Sequence, residues 1–262
     1  MKYLFMLLSA VLAVKTNPVI RAGAVEYTQG DTALEGYLAY DDTEKGARPG
    51  VLIIHEWWGI NGYIKKRTEQ LAALGYVAFA ADIYGKGIRA KTREEAMTIA
   101  GKFRSGNDRS LLRARANAGL DVLRKHPMVD PDRIAAIGYC FGGTAALELA
   151  RSGAALAGVV SFHGGLATPS PDDAIKIKGE ILVLTGADDP AVRPEQVIAF
   201  EDEMRRAGVD WHLVSYGSAV HGFTNPANGA DNSKGVAYNE KADKRSWRAM
   251  KDFFEEIFSN GR

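Results

Sequence analysis

The fold of this chain is decided by the stretch Gly138-Tyr139-Cys140-Phe141-Gly142-Gly143, which joins an apolar run at residues 133–137 to a helix-forming run at 144–150. A strand, a sharp turn and a helix in this order form the nucleophile-elbow pattern G-x-S-x-G, here with cysteine in place of serine. The glycines leave room for a strained turn, and the start of a helix favours a thiolate at Cys140. A buried structural cysteine is the weaker alternative in this context.

Apolar runs and helical patterns alternate on both sides of this stretch. The predicted strands are 25–27, 32–40, 51–54, 76–81, 133–139, 156–162, 181–184 and 211–216, and the predicted helices outside the elbow are 64–74, 91–103, 108–125, 194–207 and 235–258. The first two strands are expected to pair as an antiparallel edge. The alternation predicts one α/β domain with a mostly parallel sheet and helices on both faces.

Composition excludes several classes of protein. The 262 residues include 33 basic and 32 acidic side chains without a basic stripe, so we expect no nucleic-acid partner. A single cysteine rules out an internal disulfide and a Cys/His zinc cluster. We expect neither a metal nor an organic cofactor.

Residues 1–24 have the pattern of a secretory signal sequence. Lys2 supplies a positive start, residues 3–14 form an apolar run too short to span a bilayer, and Ala22-Gly23-Ala24 offers an A-x-A cleavage site. The alternatives are an uncleaved N-terminal anchor and a mis-assigned start codon. We expect cleavage, a mature domain at residues 25–262 that is free of the membrane, and a periplasmic or secreted protein.

Polar residues follow the predicted strands at the edge of the sheet where ligands bind in open α/β folds. The chain order Cys140, Asp189, His221 is the nucleophile–acid–histidine order of α/β-hydrolases. In such a triad, histidine accepts and returns the proton of the nucleophile, and aspartate fixes the imidazole tautomer. The backbone N–H groups of Phe141 and Trp57 are the candidates for holding an oxyanion.

Some of these positions have competitors. Asp188 adjoins Asp189, and one of the two is expected only to cap the turn. His163 is an alternative base, but it comes one strand too early, and lining the pocket or packing is the preferred interpretation. His55 follows a strand end and is expected to be a hydrogen-bonding scaffold rather than a catalyst.

Five separated motifs between residues 32 and 258 resemble the dienelactone hydrolase (carboxymethylenebutenolidase) family of the α/β-hydrolase superfamily. The motifs are Gly138-Tyr139-Cys140-Phe141-Gly142-Gly143, His55-Glu56-Trp57-Trp58-Gly59, Asp82-Ile83-Tyr84, Gly186-Ala187-Asp188-Asp189 and His221-Gly222-Phe223. The resemblance favours Asp189 over Asp188, through the G-x-x-D spacing. It also implies a catalytic role for Glu56, because the family's glutamate at this place contacts the resting thiol, moves when substrate binds and helps to form the thiolate.

The chain departs from the family at two positions. Members that cleave dienelactone hold its carboxylate with two arginines, and the corresponding places here are Lys86 and Asn225. Lysine keeps the charge without the bidentate fork, and asparagine is neutral. We expect Lys86, Asn225, Tyr84 and His163 to face the substrate.

The sequence therefore predicts a cysteine-dependent hydrolase of small-molecule esters or lactones that works through an acyl-cysteine intermediate. The alternatives are a promiscuous carboxylesterase without lactone preference and a non-catalytic binding protein on the same fold. The oligomeric state stays open.

Overall fold

The computed structural model describes residues 17–259 and contains one eight-stranded sheet. Its strands are β1 (Ile20–Gln29), β2 (Thr32–Asp41), β3 (Arg48–Ile54), β4 (Val77–Ala81), β5 (Val129–Tyr139), β6 (Gly158–Phe162), β7 (Glu180–Gly186) and β8 (Trp211–Tyr216). They are ordered β1-β2-β4-β3-β5-β6-β7-β8. β1 and β2 form the antiparallel edge, and the strands from β4 across to β8 pair in parallel, which confirms the predicted sheet.

Six α-helices cover the sheet. They are α1 (Gly62–Ala72), α2 (Arg93–Arg104), α3 (Ser110–Arg124), α4 (Phe141–Arg151), α5 (Pro194–Ala207) and α6 (Glu240–Ser259), and short 3₁₀ helices lie at Pro171–Lys176, Pro226–Asn228 and Asn232–Lys234. Within residues 17–259, no helix combines the length and the apolar character that crossing a bilayer requires.

The core has two layers because helices pack on both faces of the sheet. On one face, α1 and α6 contribute Ile64, Leu71, Met250 and Phe254. On the other face, α3, α4 and α5 contribute Leu112, Leu120, Leu147 and Phe200. The strands β4 and β6 are buried along their whole lengths. This explains why both appear in the sequence as continuous apolar runs rather than alternating ones.

The first strand is longer than predicted. It begins at Ile20 rather than at Val25, and Ile20–Ala24 pair in register with Tyr37–Asp41 of β2. The guanidinium of Arg21 also binds the carboxylate of Asp42 at 2.6 Å. A cut after Ala24 would therefore remove half of β1, whereas a cut before Ile20 would leave the strand whole. Signal cleavage stays a prediction, and residues 1–16, with the charged start and the apolar run, lie outside the described residues.

The last helix begins at Glu240, five residues after its predicted start at Gly235. Gly235 has a φ of +70°, which a continuing right-handed helix does not allow. The side chain of Asn239 accepts a hydrogen bond from the backbone N–H of Ala242 and caps the helix at its observed start. The helix boundary follows this cap rather than the hydrophobic periodicity.

The parallel part of the sheet gathers the candidate site residues. Glu56 follows β3, Cys140 follows β5, Asp189 follows β7 and His221 follows β8. Since these strands run in the same direction, their carboxyl ends meet at one edge, where an open α/β sheet binds its ligands.

Candidate active site

Cys140 lies on a strained turn between β5 and α4. Its φ of +54° and ψ of −115° are unusual for a residue with a side chain, and neighbouring glycines make the turn possible. A Cβ atom on Gly138 would lie 1.9 Å from the carbonyl oxygen of Gly142, and a Cβ on Gly142 would lie 2.1 Å from that of Ile54. The elbow thus packs directly against the end of β3 and points the sulfur into the cavity beyond the sheet.

The three residues of the predicted triad are joined by hydrogen bonds. His221 Nε2 lies 3.0 Å from Cys140 Sγ, and His221 Nδ1 lies 2.9 Å from Asp189 Oδ2. Asp189 Oδ1 accepts a hydrogen bond from the backbone N–H of Ala191 at 2.7 Å, so both carboxylate oxygens are engaged. Asp188, the alternative acid, is exposed.

The surroundings of His221 favour its charged form. Burial alone would lower the pKa of the imidazole, but the negative charge of Cys140 and the hydrogen bonds to Asp189 and Cys140 raise this pKa well above its usual 6.5. Because Asp189 accepts at Nδ1, that nitrogen carries a proton and Nε2 faces the sulfur. The arrangement is suited to a thiolate–imidazolium pair.

Glu56 lines the cavity but is bound to a group other than the sulfur. Glu56 is 4% exposed, and its Oε2 accepts a hydrogen bond of 2.8 Å from Asn225 Nδ2. Burial raises the pKa of Glu56 to about 7, against the opposing effects of the Asn225 bond and of the charges on His221 and Arg67. Among the described residues, no hydrogen bond joins Glu56 to Cys140. The sulfur of Cys140 instead lies 3.0 Å from His221 Nε2.

His163 lies behind the site, buried, and not in the wall of the cavity. The backbone N–H of Cys140 donates to His163 Nδ1 at 3.1 Å, and His163 Nε2 lies 2.7 Å from Thr224 Oγ1. Burial, followed by the positive charges of His221 and Arg67, lowers the pKa of His163 well below its usual value. In this place the neutral ring supports the elbow from within, which is the packing role expected as one of its two alternatives, and substrate contact by His163 stays a prediction.

His55 and Tyr84 shape the loop after β3. The backbone N–H of Ile83 donates to His55 Nε2, so Nδ1 carries the proton and donates to the carbonyl of Glu56 at 2.6 Å. The hydroxyl of Tyr84 donates to the carbonyl of Trp57 at 3.0 Å. His55 thus forms hydrogen bonds with two backbone groups, as expected of a scaffold residue. Tyr84 thus holds the loop and is not among the residues that line the cavity, while its contact with substrate stays a prediction.

The two residues predicted to supply the oxyanion donors both line the cavity. Phe141 is the first residue of α4, where backbone N–H groups have no partner within the helix. Trp57 lies in the loop that Tyr84 holds, and both Trp57 and Phe141 line the cavity with Cys140. The oxyanion hole formed by their two N–H groups stays a prediction.

The cavity has a volume of about 320 Å³ and contains cations that sequence reasoning missed. Arg93 and Arg104, at opposite ends of α2, line it together with Lys234. The guanidinium of Arg104 lies 5.8 Å from the ring centre of Phe141. No motif marks these residues, since α2 is held at the site by tertiary contacts of Phe103 with Tyr84 and Phe141.

The two positions expected to replace the family's arginines lie elsewhere. The ammonium of Lys86 binds Glu26 at 2.6 Å on the surface, with the lysine side chain 43% exposed, and Lys86 does not line the cavity. Asn225 is buried, and its amide nitrogen donates to Glu56. Substrate contact by Lys86 and Asn225 stays a prediction. In the part of the chain that the structure describes, no group of three or more His, Cys, Asp or Glu is placed to hold a metal ion.

Comparison with known proteins shows the family of this chain. The model of the dienelactone hydrolase family matches residues 34–258. The chain belongs to the dienelactone hydrolase family. The resemblance of the five motifs is thereby confirmed, and the α/β-hydrolase fold with it.

Three similar proteins illustrate the range of this hydrolase family. A solved structure described as m3DLH is 44% identical, has a TM-score of 0.87 and aligns over 91% of this chain and 98% of its own. A dienelactone hydrolase-like promiscuous phosphotriesterase from metagenomic libraries is 43% identical, has a TM-score of 0.85 and has the same coverage. The "Probable 2-oxo-3-(5-oxofuran-2-ylidene)propanoate lactonase" of Bradyrhizobium sp. is 30% identical over 75% of this chain and 81% of that protein.

Proposed function

We propose that this protein hydrolyses ester or lactone bonds of a small molecule through an acyl-cysteine intermediate. The observation that supports this most is the contact series from Cys140 Sγ to His221 Nε2 at 3.0 Å and from His221 Nδ1 to Asp189 Oδ2 at 2.9 Å. The series opens into a cavity and ends in a buried carboxylate, which is the arrangement that nucleophilic acyl transfer requires.

Acylation begins with the thiolate of Cys140 and the protonated His221. The sulfur attacks the carbonyl carbon, and the carbonyl electron pair moves to oxygen, where the N–H groups of Trp57 and Phe141 stabilise the charge. When the C=O bond re-forms, the C–O bond breaks, and the proton on Nε2 goes to the departing alkoxide. In a lactone this alcohol stays attached to the acyl chain.

Deacylation restores the resting site. Water attacks the thioester carbon while His221 Nε2 takes one of its protons. Collapse of the second tetrahedral intermediate breaks the C–S bond and returns the electron pair to Cys140 as thiolate. The product is the carboxylic acid, and the proton remains on His221, paired with Asp189.

The cavity favours substrates that carry a negative charge. Arg93, Arg104 and Lys234 line it, and Glu56 is the single carboxylate among the residues of the described chain that do so. A positive potential of this kind concentrates anionic ligands. The lactonase relative from Bradyrhizobium is named for a propanoate substrate, and this supports a carboxylate-bearing lactone or ester.

A second candidate activity is phosphotriester hydrolysis. It is favoured by the structural neighbour described as a promiscuous phosphotriesterase, which is 43% identical over 91% of this chain. The phosphoryl oxygen of such a substrate would use the same N–H donors at Trp57 and Phe141. A promiscuous carboxylesterase without lactone preference is the related alternative for the ester activity.

A substrate panel tests the proposal. Purified protein is assayed with p-nitrophenyl acetate, a neutral lactone, a carboxylate-bearing lactone and paraoxon, alongside Cys140→Ala. We expect ester or lactone turnover by wild type and a loss of about 10⁴-fold in Cys140→Ala, with unchanged circular dichroism. Near-normal turnover by Cys140→Ala would overturn the mechanism. Ligand binding by calorimetry without any turnover would assign the protein to the binding class.

We also propose that the protein is exported to the periplasm or secreted, on the strength of the N-terminal pattern at residues 1–24.

A further inference from the structure

The orientation of the Asn225 side chain is fixed by its two partners. Its Oδ1 accepts a hydrogen bond of 3.0 Å from the backbone N–H of Ala227 and caps the short helix at Pro226–Asn228. Because the amide oxygen is engaged there, the amide nitrogen must face Glu56, to which it donates at 2.8 Å. Asn225 is 4% exposed, so water does not compete for this bond.

The position of the Glu56 carboxyl depends on its hydrogen bond with the Asn225 amide. Among residues 17–259, Asn225 is the side chain that hydrogen-bonds the Glu56 carboxyl. Leaving a buried carboxyl without a hydrogen-bond donor costs free energy, so a carboxyl that loses its donor turns toward another polar group. The Cys140–His221 pair lines the same cavity as Glu56. A carboxyl turned toward that pair would oppose the thiolate when ionised and would compete for His221 when protonated.

We propose that Asn225 is a positioning residue that holds the Glu56 carboxyl away from Cys140, so that the thiolate–imidazolium pair forms before substrate binds. The proposal rests on the function proposed above, since it concerns the same nucleophile. It is supported by the placement of the sulfur, 3.0 Å from His221 Nε2, while Glu56 is bound to Asn225.

The base His221 and the residue that binds Glu56, Asn225, lie in the same loop. His221 and Asn225 are four residues apart, and the backbone N–H of Asn225 donates to the carbonyl of Gly222 at 3.1 Å. The turn that presents Nε2 to the sulfur therefore also presents the Asn225 amide to Glu56. A resting site arranged in this way needs no movement of Glu56 to form the nucleophile.

The test is the alkylation rate of Cys140 by iodoacetamide without substrate. Cys140 is the single cysteine, so incorporation reports on this thiol alone. Asn225→Ser keeps an oxygen that can cap Ala227 but is too short to reach Glu56. We expect fast alkylation of wild type and a rate about tenfold lower in Asn225→Ser, the population ratio that one hydrogen bond to a charged group maintains.

A second substitution separates positioning from general damage. In a Glu56→Ala background no carboxyl can turn toward the sulfur, so Asn225→Ser should no longer slow alkylation. Asn232→Ala is the matched control. The exposed side-chain amide of Asn232 donates a hydrogen bond to the carbonyl of Ser218 and does not contact Glu56. Should Asn225→Ser fail to fold, Asn225→Asp at pH 8 replaces the donor by a repelling carboxylate of the same size.

Two results would overturn the proposal: wild-type alkylation as slow as in Asn225→Ser, or slowing by Asn225→Ser that persists in Glu56→Ala. Neither result depends on ester turnover. Failure of the positioning role is therefore distinguishable from failure of the hydrolase assignment, which the substrate panel decides.

Discussion

Replacing Glu56 with glutamine should stabilise the protein more at pH 8 than at pH 5. Burial raises the pKa of Glu56 from 4.5 to about 7, so the folded protein binds a proton that the unfolded chain has released between these values. The free energy of unfolding of the wild type therefore falls as the pH rises through this window. The destabilising contribution is absent below pH 4.5 and fully present above pH 7. Glutamine has no such titration.

The magnitude follows from the two pKa values. Linkage between 4.5 and about 7 gives a difference of about 2.5 kcal/mol in the effect of the substitution between pH 5 and pH 8. For a chain of this size, that difference corresponds to roughly 5 to 10 °C in Tm. Any cost of burying the glutamine amide is independent of pH and cancels from the comparison.

Urea unfolding of wild type and Glu56→Gln at both pH values measures this difference. Glu44→Gln, in an exposed loop, is the matched control and should show no such dependence. If Glu56→Gln changed the free energy of unfolding equally at pH 5 and pH 8, the carboxyl would be titrating in its usual range. The account of Glu56 as a buried, nearly neutral-pH acid would then be refuted.

The remaining predictions concern the cavity, the elbow and the N-terminus. Lys86→Ala should leave kcat/KM unchanged for neutral and anionic esters, because its ammonium binds Glu26 on the surface. Arg104→Gln should raise KM for carboxylate-bearing esters relative to neutral ones, and an unchanged ratio would remove Arg104 from substrate binding. Gly142→Ala should destabilise the protein in urea by about 3 kcal/mol or more, because the new Cβ would lie 2.1 Å from the Ile54 carbonyl oxygen. Sequencing of the mature N-terminus should begin near Val25, and recovery of Met1 would contradict signal cleavage.

The sequence was sufficient to predict the fold and the Cys140–His221–Asp189 arrangement. Cys140 directly follows β5, and Asp189 and His221 lie in the loops just after β7 and β8. Parallel strands bring such positions to one edge of the sheet. The elbow adds a local signal, because only a strained turn explains glycines at both 138 and 142. Backbone topology therefore determines these placements, and the order of motifs along the chain reveals that topology.

The positions of Lys86, Asn225 and Arg104 could not be predicted in the same way. A motif fixes the loop on which a residue lies, but not the direction of its side chain. Lys86 turns to Glu26 on β1, sixty residues earlier in the chain, and Asn225 turns inward to Glu56. Arg104 reaches the cavity because its neighbour Phe103 packs against Tyr84 and Phe141. These contacts depend on tertiary packing that leaves no periodic trace in the sequence.

The turn that carries Cys140 is supported by His163 and by the loop after β8. Cys140 and His163 both have positive φ, +54° and +41°, and the backbone N–H of the first donates to Nδ1 of the second. That bond requires a neutral His163 ring, and burial keeps the pKa of the ring low enough for this. The opposite nitrogen of His163 lies against Thr224, which stands between His221 and Asn225 in one loop. The loop after β8 thus acts on Cys140 in three ways. His221 contacts the sulfur directly, Thr224 binds His163, which supports the elbow, and Asn225 binds Glu56. A substitution that shifts this loop should therefore change the geometry of all three contacts together, whereas a substitution confined to the β3 loop should change that of Glu56 and Trp57 alone.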